Sequence, residues 1–120
     1  MAKILVVDDE ENVRSLLRMM LEKAGHDVWE AANGIEALES YRLQPADLAI
    51  IDIIMPEKEG IETIMDLRRK YPDTKIIAIS GTGLESPFLI MSKHLGADYI
   101  IDKPFTEKEI MGGIEEIMEV

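Results

Sequence analysis

Short β-branched runs and helical patterns alternate strictly along this chain, and that alternation limits the fold more than any other feature. The strand-like runs are KILVV (3–7), DVWEAA (27–32), LAIID (48–52), KIIAIS (75–80) and YIID (99–102). Each is followed by a helical segment: ENVRSLLRMMLEKAG, GIEALESYR, IETIMDLRRKY, SPFLIMSKHLG and TEKEIMGGIEEIME. In the first of these, Val13, Leu16, Leu17 and Met20 recur at helical spacing, and Gly25 takes the position just past the helix end that glycine favours. Pro72 closes the third helix, Pro87 lies in the first turn of the fourth, and Thr106 with Glu109 has the spacing of a capping box. Strict alternation implies parallel strands with helices on both faces, joined by right-handed crossovers. The first, third, fourth and fifth strands are nearly continuous apolar runs, as strands covered on both sides must be. The second is more polar and is expected at an edge. The predicted fold is α/β: a doubly wound five-stranded parallel sheet in the flavodoxin-like order 2-1-3-4-5.

A chain of 120 residues fits one domain and can bury a proper core. Without cysteine it has no disulfide, thiol nucleophile or cysteine-ligated metal. The start, MAKILVVDDE, has an apolar run cut short by two aspartates, unlike a signal peptide, and no apolar stretch nears the ~18 residues of a membrane span. A cytoplasmic protein is expected. The net charge of −11, from 24 acidic and 13 basic residues, repels phosphate backbones and argues against direct nucleic-acid binding.

The stretch IIDIIMP (50–56) sets a lone carboxylate, Asp52, among apolar residues, where an unpaired charge is costly. In open parallel sheets chemistry gathers beyond the carboxyl ends of the strands, at the switch in strand order. The first strand ends in Asp8-Asp9, the third in Asp52, the fourth in Ser80 and the fifth in Asp102-Lys103-Pro104. Taken singly, the aspartate pair reads as a helix cap, Ser80-Gly81 as a turn and Lys103-Pro104 as an ordinary loop. Together they fall at one end of adjacent strands. Asp8, Asp9 and Asp52 then need a counter-charge, and all-oxygen ligation points to magnesium before zinc. His26 and His94, both near helix ends, are expected to be solvated and not ligands. Lys103 supplies an ammonium and Ser80 a hydroxyl on the same side. Metal, ammonium and hydroxyl around one carboxylate suit phosphoryl transfer, with Asp52 as the acceptor.

These motifs, VDDE (7–10), DIIMPEKEG (52–60), IS (79–80) and GADYIIDKPF (96–105), make the whole chain resemble the receiver domain of two-component response regulators, the CheY-like superfamily. The resemblance implies that Asp52 takes phosphate from a phosphohistidine on a sensor histidine kinase or phosphotransfer protein. It implies Mg2+ bound directly by Asp9, by Asp8 through water, by Asp52 and by the backbone carbonyl of Ile54. Lys103 and Ser80 would hold the phosphoryl oxygens, and the Lys103–Pro104 bond would be cis. Such a domain is no enzyme beyond catalysing its own phosphorylation and dephosphorylation.

One position departs from the family's pattern. Three residues before the lysine, where receivers usually carry tyrosine or phenylalanine, stands Ile100, and alternation turns the neighbouring Tyr99 to the other face. The switch pair is therefore Ser80 and Ile100. In the fourth helix, packing of Phe88, Met91 and Leu95 inward would leave Leu89 and Ile90 partly exposed, and Gly112-Gly113 would weaken the last helix. Output is expected through the fourth helix, last strand and last helix, to a downstream protein or a second copy. The last helix runs to the end of the chain, so residues 1–120 read as a single receiver domain with no output domain, either stand-alone or cut from a longer regulator. Two rivals remain: a receiver-like interaction module that never takes phosphate, and a haloacid-dehalogenase-like phosphatase. The phosphatase needs D-x-D, but the residues two beyond Asp8, Asp9 and Asp52 are Glu10, Glu11 and Ile54.

Overall fold

In the computed structural model, which describes residues 2–53, 59–81 and 87–118, the five strands lie parallel in the order β2-β1-β3-β4-β5. They are β1 (Lys3–Val7), β2 (Asp27–Ala31), β3 (Leu48–Asp52), β4 (Lys75–Ser80) and β5 (Tyr99–Asp102). The helices α1 (Glu11–Lys23), α2 (Gly34–Leu43), α3 (Glu59–Lys70), α4 (Pro87–Leu95) and α5 (Glu107–Met118) follow them in turn. The expected order is the observed one, with the more polar β2 at an edge.

The period of two along each strand divides the core in half. Leu5, Val7, Ala49, Ile51 and Ile76 face α2, α3 and α4, where Ala37, Ile64, Leu67 and Leu89 meet them. Ile4, Val6, Leu48, Ile50 and Ile77 face α1 and α5, against Leu17, Leu21, Ile110 and Ile114. The same alternation puts Tyr99 on the α1/α5 side and Ile100 on the other.

Local signals set the helix ends. After α1, Gly25 has φ 93°; its N–H donates to the Glu22 carbonyl and that of His26 to the Leu21 carbonyl, the paired closure of a Schellman motif. Asn33 caps α2 by accepting from the Glu36 N–H. Thr106 and Glu109 form the expected box, with Thr106 N–H donating to Glu109 Oε1 and Glu109 N–H to Thr106 Oγ1.

Helix α4 corrects one expectation. Leu89 and Ser92 face inward and are fully buried, whereas Phe88 and Met91 are exposed along with Ile90. The run Phe88-Leu89-Ile90-Met91 is apolar at every position, so hydrophobicity alone does not fix the helix phase. Ser92 takes an inward position at no cost because its hydroxyl donates to the Leu89 carbonyl at 2.7 Å. The glycine pair in α5 divides as well. A side chain on Gly112 would meet nothing, but a Cβ on Gly113 would lie 2.9 Å from the Tyr99 ring. Gly113 is there for close packing of α5 on β5. His26 is half-buried, not solvated: its Nδ1 accepts the Ala2 N–H at 3.1 Å, and burial lowers its pKa. His94 is exposed.

Candidate functional site

Asp8 follows β1 directly and Asp52 is the last residue of β3, and parallel pairing of these neighbouring strands brings both to one edge of the sheet. Both are buried, Asp8 fully and Asp52 to 3% exposure. Asp9, the next residue after Asp8, is exposed. Each of the three offers a carboxylate oxygen within 4.8 Å of the others. Such a cluster is suited to a hard cation, because its donors are all oxygens and an exposed member leaves room for water ligands.

Lys103, one residue beyond β5, reaches across from the far side. Its Nζ donates to Asp8 Oδ2 at 3.1 Å and to Asp52 Oδ2 at 3.2 Å, with Glu10 Oε1 at 3.8 Å. Burial alone would lower its pKa; the charges of Asp52 and Asp8, and its hydrogen bonds to them, outweigh burial and raise it. The ammonium is thus held charged between two buried carboxylates. The Lys103–Pro104 bond is cis, as the resemblance implied.

The Asp8 turn is held from several sides. Its N–H donates to the Ala31 carbonyl of β2 at 3.1 Å, and its Oδ1 accepts the Glu10 N–H at 2.9 Å. Its main-chain carbonyl accepts from Arg14 Nη1 at 2.8 Å. Below Asp52, Gly60 in the first turn of α3 passes so close that a Cβ there would collide with the Asp52 carbonyl and the Ile53 backbone. Ser80 ends β4, buried, opposite Asp102 in register, and shares its side of the sheet with Ile100 by alternation.

The structure therefore brings Asp8, Asp9, Asp52 and Lys103 together and sets Ser80 at the neighbouring strand end. Ile100 stands two residues back along β5, against the α2–α4 core. Ile54 lies outside the described residues. Arg14, Glu10 and Gly60 were not singled out from sequence. Arg14 and Arg18 are one helical turn apart facing the acidic Glu30 of the edge strand, a pairing that charge patterning could have raised.

Residues 4–115 match the family model of the response regulator receiver domain. The chain belongs to that family. This receiver domain is 38% identical to the chemotaxis protein CheY of Halobacterium salinarum, over 98% of each chain. It is 35% identical to the alkaline phosphatase synthesis transcriptional regulatory protein PhoP of Bacillus subtilis, over 97% of this chain and 48% of PhoP. The chain thus spans about half the length of that relative. Among solved structures, the chemotaxis protein CheY4 of Vibrio cholerae superposes with a TM-score of 0.89 at 31% identity, over 98% of each chain. Receivers of two-component response regulators are not classical enzymes, and a role in accepting phosphate is consistent with the family. Among the described residues no helix is long and apolar enough to cross a membrane.

Proposed function

We propose that this receiver takes a phosphoryl group on Asp52 from a phosphohistidine of a sensor histidine kinase or phosphotransfer protein. The observation that carries this reading is the bridge from Lys103 to both Asp8 and Asp52, at the mouth of a three-carboxylate cluster. An Asp52 oxygen attacks phosphorus, the P–N bond breaks, and the imidazole leaves with the bonding pair. Little covalent help is needed for such a transfer; positioning and charge neutralisation dominate. Lys103 and Ser80 take up the phosphoryl oxygens. Asp8, Asp9 and Asp52, with the backbone carbonyl of Ile54, would hold Mg2+, which would supply charge neutralisation at the acceptor and the phosphoryl oxygens. The domain catalyses its own phosphorylation and dephosphorylation and no other turnover.

Once Asp52 carries the phosphate, Ser80 turns toward it, and Ile100 beside it fills space without a ring to swing. Output leaves through α4, β5 and α5, where Phe88, Ile90 and Met91 are exposed, to a downstream protein or a second copy. A chain of charge −11 does this without touching nucleic acid or membrane itself, in the cytoplasm. We read residues 1–120 as one receiver unit, with any output function residing elsewhere.

Acetyl phosphate with Mg2+ tests the reading. One phosphate per chain, lost in Asp52→Asn, is expected. No labelling would mean a receiver-like module independent of phosphate, and turnover of a generic phosphomonoester would mean a phosphatase.

A further inference from the structure

Among the described residues, the exposed Asp9 carboxylate makes no hydrogen bond or ion pair, so its main chain is what sets the place from which it reaches the cluster. That main chain is governed by one peptide plane. The carbonyl of Asp8 and the Cα of Asp9 belong to the same rigid unit, so fixing the direction of the first fixes the starting point of the second. Arg14 Nη1 holds that carbonyl at 2.8 Å. The guanidinium is aligned in turn by Glu30 of β2: Arg14 Nε donates to Glu30 Oε1 at 3.1 Å, and Arg18 Nε to Glu30 Oε2 at 2.7 Å. Arg18 Nη2 is anchored on the Val28 carbonyl at 2.9 Å. Arg14 and Glu30 are largely shielded, at 16% and 27% side-chain exposure, so the link is weakly screened. A planar, permanently charged fork that engages a carboxylate and a carbonyl at once is a task lysine performs poorly.

We propose that Arg14 is a positioning residue for the cation site. Held by Glu30, it sets the plane of the Asp8–Asp9 peptide and so brings the Asp9 carboxylate into reach of Asp8 and Asp52. Cation affinity is thereby controlled from the edge strand. The inference rests on the reading of these three aspartates as Mg2+ ligands.

Two effects of Arg14 on Mg2+ have opposite signs, which makes the test decisive. As a positive charge near the site it repels the cation, so its loss would tighten binding. As a positioning group its loss loosens binding, about tenfold by analogy with other groups that orient metal ligands. Mg2+ would be titrated calorimetrically into wild type, Arg14→Ala and Arg14→Lys, with the metal-free melting midpoint of each followed by circular dichroism. The expected result is a weaker site in both variants, more so in Arg14→Ala, because lysine keeps the charge but not the fork. Unchanged or tighter binding in either variant overturns the proposal, even if its metal-free midpoint falls, since a purely structural role would lower stability alone. Should Arg14→Ala fail to fold, Arg14→Lys decides. A wild-type chain that binds no Mg2+ overturns the metal reading itself, and this inference with it.

Discussion

The Cα of Gly60 lies against the carbonyl of Asp52 so closely that no side chain fits between them. Helix α3 thus presses its first turn directly on the peptide that carries Asp52, the acceptor we propose. Gly60→Ala forces one of two backbones to shift, and such overpacking costs about 2–3 kcal/mol. The urea midpoint of that variant should fall accordingly. Labelling by acetyl phosphate should also slow by roughly tenfold or more, because small displacements of a reacting group are expensive. Labelling at the wild-type rate would show that the Asp52 peptide does not depend on this contact.

Asp52→Asn should stabilise the metal-free chain while abolishing labelling. Removing one partner of a buried pair normally leaves the other stranded, but here Lys103 keeps Asp8, with Glu10 nearby. What is lost is mainly repulsion among clustered carboxylates. A gain of about 1 kcal/mol, or a rise of about 4 °C in the melting midpoint, is expected without Mg2+. A lower midpoint would mean that attraction to Lys103 outweighs that repulsion.

Arg68 of α3 staples the opposite end of the sheet. It donates to the carbonyls of Pro72, Thr74 and Gly96 and to Asp98 Oδ2, which also accepts the Ile76 N–H. Gly96, at φ 140°, has no Cβ to obstruct the approach. Arg68→Ala should cost about 2–3 kcal/mol in chemical denaturation, because several carbonyls lose a charged donor together. Mg2+ affinity should be unchanged, since the staple and the aspartates lie at opposite strand ends.

Tyr41 gives the chain an alkaline limit. Its ring is fully buried, 5.1 Å from that of Tyr71, and its hydroxyl has no hydrogen-bond partner among the described residues. Burial pushes its pKa from 10.0 up to about 12, with the Thr74 side chain pulling the other way. Between those values the unfolded chain releases a proton that the folded chain keeps, so stability falls as pH rises from 10 to 12. The loss attributable to this group is about 1.4 kcal/mol at pH 11 and about 2 kcal/mol at pH 12. Tyr41→Phe should remove that component, and at neutral pH it should cost nothing or gain about 1 kcal/mol by deleting an unsatisfied hydroxyl. Denaturation at pH 7 and pH 11 compares the two; equal alkaline losses would show that Tyr41 is not responsible.

The strand order and the convergence of Asp8, Asp9, Asp52 and Lys103 were legible because both follow from periodicity. A period of two places each strand's polar terminus, and alternation of elements places the strands side by side. The inward face of α4 was not legible, since Phe88 through Met91 offer four apolar residues in a row and the deciding contact is a serine bonding to its own helix. The roles of Arg14 and Arg68 were hidden because their acceptors include main-chain carbonyls, which every residue has and no side-chain pattern reveals. Gly60 and Gly113 were hidden for a related reason. One meets a backbone and the other a ring across the fold, and the closeness of an approach is not written in either partner's identity.

The ion pair between Lys103 and Asp8 spans 95 positions of sequence, and that between Lys103 and Asp52 spans 51. Contacts so distant are absent from any chain that stops short of Lys103 and form only after their loops have closed. A polypeptide still being synthesised therefore carries Asp8 and Asp52 long before it carries the ammonium that joins them.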